Sequence, residues 1–220
     1  MSEERAEPCR VIDLTHPIFP DMPVWPGTPS PECLPIASIP EDGFAEHSIR
    51  LSSHTGTHID APAHMIEGGA SLDRLDPDRF FGSAVVVDAF AARDGIIIGR
   101  KLLEPFSEAI AAADFVLLHT GWARLWGQPA YDSGYPVLDD EAAGWLCGMV
   151  LKGVGIDAPS FDASGSNDYS VHRRLLRSGV LLVENLTNLH RLPSSGCALA
   201  VFPLPVRGAD ACPVRAVALL

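Results

Sequence analysis

The chain has 220 residues, of which 47% are hydrophobic, 20% charged and 7% aromatic, the make-up of a folded domain and not of a disordered segment. Sixteen Lys and Arg against 28 Asp and Glu give a formal charge of −12, which would repel a polyanion before any specific contact formed and so excludes nucleic acid as an expected partner. The acidic start Met1-Ser2-Glu3-Glu4 has no signal-peptide core, and no run reaches the roughly 18 to 20 apolar residues of a membrane span. A single cytoplasmic domain over residues 1–220 is expected, and its five scattered cysteines, Cys9, Cys33, Cys147, Cys197 and Cys212, form no C-x-x-C pair and are read as incidental thiols.

Residues 17–40 carry eight prolines, too many for regular helix or a central strand, and are read as an ordered arm. Within it, Trp25 in Pro23-Val24-Trp25-Pro26-Gly27 is an aromatic on a stiff support, suited to a pocket wall. Further on, residues 84–88, 95–98, 115–118, 153–156 and 180–183 are short β-branched runs that read as buried strands. Helices are expected over 104–113, 139–149 and 170–178, the last capped by Ser170 and stopped by Gly179. The class is mixed α/β, and no strand is followed by a Gly-rich phosphate-binding pattern, so a nucleotide cofactor is not indicated.

Three of the eight histidines fall within the eleven residues His54-Thr55-Gly56-Thr57-His58-Ile59-Asp60-Ala61-Pro62-Ala63-His64, where composition predicts about 0.4. His54, His58, Asp60 and His64 all occupy even positions, so an extended chain would turn them to one face. A straight strand would still separate His54 from His58 by about 13 Å at about 3.3 Å per residue, too far for one ion bound at about 2.1 Å. The chain must therefore bend, and Gly56 is where bending costs least. Pro62 keeps Ala61 extended and aims His64 past the first ligands. Two imidazoles and a carboxylate suit a catalytic divalent ion with an open water position better than a closed structural zinc site.

A second cluster is expected from His172, in the first turn of the helix from Ser170, and Glu184, at the end of the strand after Gly179. About 10 Å of helix folding back along about 16 Å of strand brings the two to one end. The helix N-terminus is expected to disfavour protonation of His172 and leave its lone pair free. Glu184 follows four apolar residues, where an unpaired carboxylate would be costly.

The His54–His64 string resembles the H-x-G-T-H-x-D-x-P-x-H signature of the cyclase-like metal-dependent hydrolases, which include bacterial kynurenine formamidases. The resemblance extends through Ile12-Asp13-Leu14-Thr15-His16-Pro17, Val24-Trp25-Pro26-Gly27, Leu118-His119-Thr120-Gly121-Trp122, Gly155-Ile156-Asp157-Ala158-Pro159-Ser160 and the 172–184 segment. It implies a swivelling β/β/α fold and a homodimer or higher homo-oligomer. It also implies a centre in which His54, His58 and Asp60 bind one ion, and Asp60 bridges to a second held by His172 and Glu184. His64 would be the catalytic acid/base and Trp25 would line an aryl pocket. One or two zinc or manganese ions would activate water against an aryl formamide such as N-formyl-L-kynurenine. Isatin or another cyclic amide is the alternative substrate, and an inert metal-stabilised scaffold the non-enzyme alternative.

Overall fold

Runs such as Val85-Val86-Val87 and Phe115-Val116-Leu117-Leu118 have no polar alternation, so a strand made from them needs apolar cover on both faces. A computed structural model describes residues 10–90 and 97–220; the acidic start, Cys9 and positions 95–96 of the expected 95–98 strand lie outside the described residues. The strands are β1 (Val11–Asp13), β2 (Glu32–Ala37), β3 (Glu46–Arg50), β4 (His58–Asp60), β5 (Phe81–Asp88), β6 (Ile97–Ile98), β7 (Phe115–His119), β8 (Val137–Leu138), β9 (Gly153–Ile156), β10 (Leu181–Glu184), β11 (Cys197–Ala200), β12 (Ala211–Pro213) and β13 (Val217–Leu219).

Nine of these form one sheet in the order β1-β13-β11-β5-β7-β9-β10-β4-β12. Its centre, β5-β7-β9-β10, is parallel, and antiparallel strands extend it on either side. Alternate residues feed two separate cores, as the period of a strand requires. Val85, Val87, Val116, Leu118, Val154, Ile156 and Leu182 face one core, which holds the helical residues Leu146, Val171 and Leu175. Val86, Leu117 and Val183 face the other, closed by Ile12, Ile59, Leu199, Cys212 and Ala218 from the sheet's outer strands. The sheet thus curls over its own second face, and the layering is β/β/α within the expected α/β class.

The helices are α1 (Ile39–Asp42), α2 (Arg100–Leu103), α3 (Ser107–Ala111), α4 (Asp140–Cys147) and α5 (Ser170–Arg177). The expected helix over 104–113 is divided: Glu104–Phe106, with Pro105 at its start, is a 3-10 turn that runs into α3. Helix α4 matches its expectation, and the Asp139 carboxylate caps it by accepting from Ala142 N at 2.7 Å. Helix α5 corrects one. Ser170 already lies inside the helix, and the cap comes from Asp162, whose carboxylate accepts from Val171 N at 3.1 Å and His172 N at 3.0 Å.

The proline-rich arm is ordered, and its regular elements are confined to places where proline is tolerated. Pro35 lies beside a bulge in β2, which pairs only with β3 in a two-stranded ribbon, and Pro40 opens the single turn α1. Nearly every residue of the ribbon is exposed, Leu34, Ile36 and Ile49 among them. Its roots, residues 23–26 and Thr28 on one side and His54 on the other, are walls of a cavity.

Candidate metal centre

Strand β4 is three residues long, yet it is paired on both edges. Against β10, His58 stands opposite Glu184 and Asp60 opposite Leu182; against β12, Asp60 stands opposite Ala211. Antiparallel partners share a face, so His58 Nε2 comes to 3.4 Å from Glu184 Oε2 and 3.4 Å from Asp60 Oδ1, while Ile59 turns into the core behind. The bend expected before the strand is present. Gly56 has φ +62, a left-handed conformation that costs glycine little, and the turn sets His54 Nδ1 3.0 Å from Asp60 Oδ1. Ala61 is extended and Pro62–His64 forms a 3-10 turn, which leaves His64 beside His54 with ring centroids 4.1 Å apart.

The distant pair meets the same cluster. His172 Nε2 lies 3.0 Å from Glu184 Oε1 and 3.9 Å from Asp60 Oδ2. Three groups have their potential ligand atoms within 4.8 Å of one another: the triads His54-His58-Asp60 and Asp60-His172-Glu184, and His54-His64-Asp210 at the mouth of the cluster. Asp60 is common to the first two.

The second nitrogen of each of these histidines meets an acceptor. His58 Nδ1 donates to Gly56 O at 2.8 Å, His172 Nδ1 pairs with Asp162 at 2.5 Å, and His54 Nε2 pairs with Asp210 at 3.0 Å. Such outer partners fix tautomer and ring orientation in metal sites. Gly56 O is itself held by Asn185 Nδ2 at 3.0 Å, and Asn185 Oδ1 accepts from Tyr131 OH at 2.7 Å. Asp162, Asp210, Asn185 and Tyr131 carried no signal in the sequence, because each reaches its partner through the fold.

The donor set fits a divalent cation. Both oxygens of Asp60 and His58 Nε2 are buried with no hydrogen-bond partner, a costly arrangement unless another group engages them. Two carboxylates and three imidazoles are the oxygen and nitrogen ligands of such an ion. The electrostatics of the bare protein correct one expectation, since His172 is not kept neutral by its helix. Burial opposes its charge, but the carboxylates of Asp162, Glu184 and Asp60 prevail and raise it to about 10. Burial likewise opposes the charge on His54, while Asp60 and Asp210 raise it to about 9. Burial would raise Glu184 and Asp60, yet the imidazoles around them hold both below the usual carboxylate range. His64 is shifted the other way, lowered by burial and by the neighbouring His54 and His172.

Over the cluster opens a cavity of about 260 Å³, walled by Val24, Trp25 and Pro26 of the arm together with Met65, Tyr131, Pro159 and Tyr169. Trp25 therefore stands where a pocket wall was expected. None of the four described cysteines lines the cavity; Cys33, Cys147, Cys197 and Cys212 are free thiols, and burial pushes Cys197 and Cys212 up.

Fold and cluster together define an α/β protein built around a buried His/Asp/Glu cluster that could hold a metal ion. The Cyclase family model matches residues 12–163, and the chain belongs to that family. It is 35% identical over 212 residues to a kynurenine formamidase of Salinibacter ruber, covering 94% of this chain and 96% of that protein. Isatin hydrolase A from Labrenzia aggregata, solved with benzyl benzoate bound, superposes with a TM-score of 0.87 at 27% identity, covering 96% of this chain and 94% of the other. A protein from Bacillus stearothermophilus described as a "predicted metal-dependent hydrolase" superposes at 0.76 with 28% identity, covering 96% and 98%.

Proposed function

We propose that the protein is a metal-dependent amidohydrolase that cleaves an aryl formamide such as N-formyl-L-kynurenine to kynurenine and formate. The observation that carries this reading is the Asp60 carboxylate, buried without hydrogen bonds and common to two ligand triads. His54, His58 and Asp60 would hold one ion, and Asp60, His172 and Glu184 a second, zinc or manganese in each case. When bound, such an ion lowers the pKa of a coordinated water and polarises a carbonyl oxygen.

The chain's own residues do the rest. Trp25 and the neighbouring apolar walls take the aryl ring and exclude water from the reacting carbonyl. His64 lines the cavity without belonging to either Asp60 triad, and burial disfavours its charged form, which suits an imidazole that accepts a proton as water adds. It returns that proton to the nitrogen as the C–N bond breaks, so that the amine leaves neutral. A cyclic amide such as isatin is the second reading, supported by the superposition with isatin hydrolase A; it uses the same residues and differs in pocket shape.

The protein acts in the cytoplasm as a homodimer or larger homo-oligomer; no helix among the described residues is long and apolar enough to cross a membrane. The exposed Leu34 and Ile49, on opposite faces of the ribbon, support assembly, because an outlying two-stranded ribbon with apolar side chains on both faces gains from being covered. Sedimentation of the purified protein checks that, and a single monomeric species would refute it.

The test of activity is chelation followed by restoration with zinc or manganese, using N-formyl-L-kynurenine and isatin side by side. Turnover of the formamide that is lost with the metal and returns with it is expected. Undiminished turnover in metal-free protein would overturn the reading, and restored turnover of isatin alone would replace it with the second. His64→Ala is expected to keep its metal and lose roughly 10²-fold or more in kcat.

A further inference from the structure

Asp210 belongs to neither Asp60 triad, yet it touches both histidines at the mouth of the centre. It immediately precedes β12, and its backbone oxygen accepts from Ala61 N at 2.8 Å. The pairing of β12 with β4 therefore delivers its side chain over the His54–His64 loop. One oxygen, Oδ2, lies 3.0 Å from His54 Nε2 and 3.4 Å from His64 Nδ1, and the Ser53 hydroxyl also bonds the carboxylate. The acceptors behind His58 and His172 each serve one of those rings; this one serves a ligand and its neighbour together.

We infer that Asp210 is a positioning residue that sets the tautomers of His54 and His64 with a single carboxylate. This rests on the reading of His64 as the acid/base given above. A neutral imidazole has one N–H and one lone pair, and a hydrogen bond from one nitrogen decides where the other's lone pair points. With Nε2–H of His54 on Asp210, the Nδ1 lone pair faces Asp60. The same oxygen lies 3.4 Å from His64 Nδ1, so its negative charge favours an N–H on that nitrogen, and the Nε2 lone pair is the one left to take a proton in the cavity. Two rings whose centroids are 4.1 Å apart could otherwise adopt either tautomer, or donate to one another, and in half of those states His64 would present an N–H where a base is required. The logic is that of a carboxylate orienting a catalytic histidine, here with its hold on that histidine shared with a ligand.

The closing experiment compares Asp210→Asn and Asp210→Glu in the metal-loaded protein, alone and in a His64→Ala background. Nitrogen-15 NMR of the histidine rings reads the tautomers and needs no substrate. Asp210→Asn is expected to keep its metal, to lower kcat about 10- to 100-fold with KM changed less than threefold, and to turn the His64 signal from an Nδ1–H pattern to a mixture. Asp210→Glu should restore most of kcat and the original pattern. With His64→Ala already present, Asp210→Asn should cost markedly less than it does alone, the remainder being its hold on His54, because residues acting as a unit are not additive. An unchanged His64 tautomer in Asp210→Asn, or losses that multiply in the double variant, would overturn the inference. Loss of fold in Asp210→Asn would leave Asp210→Glu to decide, where failure to recover the tautomer would overturn it equally. If His64→Ala alone keeps full turnover, the acid/base reading fails instead, and the NMR result still stands or falls for Asp210.

Discussion

The two halves of the metal centre are made in different ways. His54, His58 and Asp60 lie within seven residues, brought together by one glycine turn and one three-residue strand. His172 and Glu184 come from a helix and a strand whose approach depends on α5 packing along β10, and His172 is held from behind by Asp162 in the loop before that helix. The first half needs little of the fold to be nearly correct, whereas the second is correct only when the helix is docked. Asp60 is common to both, and His58 also faces Glu184 at 3.4 Å, so damage should spread between the halves through Asp60 first and the His58–Glu184 contact second.

The largest effect is therefore expected at Asp60. Asp60→Asn should disturb both ions and lower kcat by roughly 10³-fold or more, since it removes the charge shared by two adjacent cations; metal analysis beside turnover checks this, and retention of two ions per chain would break the comparison. Glu184→Gln is next, expected to reduce stoichiometry from about two ions to about one with the first half intact. A wild-type value of one, unchanged in Glu184→Gln and His172→Ala, would confine the centre to the local half. Asp162→Ala should separate the halves further. It weakens metal affinity of the helical half about 10- to 100-fold and destabilises the protein by about 1 kcal/mol through the lost helix cap, which metal titration and thermal melting separate.

The pH dependence has a definite sign. In the metal-free protein His54 is raised to about 9 and His172 to about 10, so both carry protons at pH 7 that an ion must displace. Metal loading at pH 7 should release about two protons per chain, measurable in weakly buffered solution. The raised histidines stabilise the bare protein fully below about pH 6.5 and lose that contribution as pH rises towards 9 to 10. The shift in melting temperature on adding metal should consequently grow from pH 6 to pH 9. The smallest effect is expected at Trp25. Trp25→Ala should leave metal content unchanged and raise KM for an aryl substrate several-fold, in keeping with about 1 kcal/mol for an aromatic contact.

What was legible in the sequence follows the same division. His54, His58, Asp60 and His64 stand close enough for spacing and one turn to predict their convergence, and the central strands were visible because burial on both faces leaves unbroken apolar runs. Glu184 could be read because an acid ending such a run demands a partner. Asp210 could not, since the histidine it meets is 156 residues away and nothing local marks a carboxylate that crosses from one strand to the next. Asp162 was hidden by the more familiar alternative of Ser170 as a cap, and the charge of His172 was misjudged for the same reason, because the carboxylate that caps the helix also outweighs its dipole. The ribbon of β2 and β3 was masked by proline content, which rules out a central strand but permits an outlying one.

The pairing of β4 with β10 has a consequence for how the protein comes apart. Asp60 and Glu184 are 124 positions apart in the chain, so an ion held between them acts as a cross-link closing more than half of the polypeptide into a loop. For a covalent tie around a loop of about 100 residues, chain entropy is worth about 4.7 kcal/mol, and a coordinate tie works in the same sense for as long as the ion stays bound. β4 has only three residues with which to hold its place, and the clasp is fastened at that short strand. With an ion in place, β4 would be tied to β10, and release of the ion is expected to precede opening of the outer strands β4 and β12.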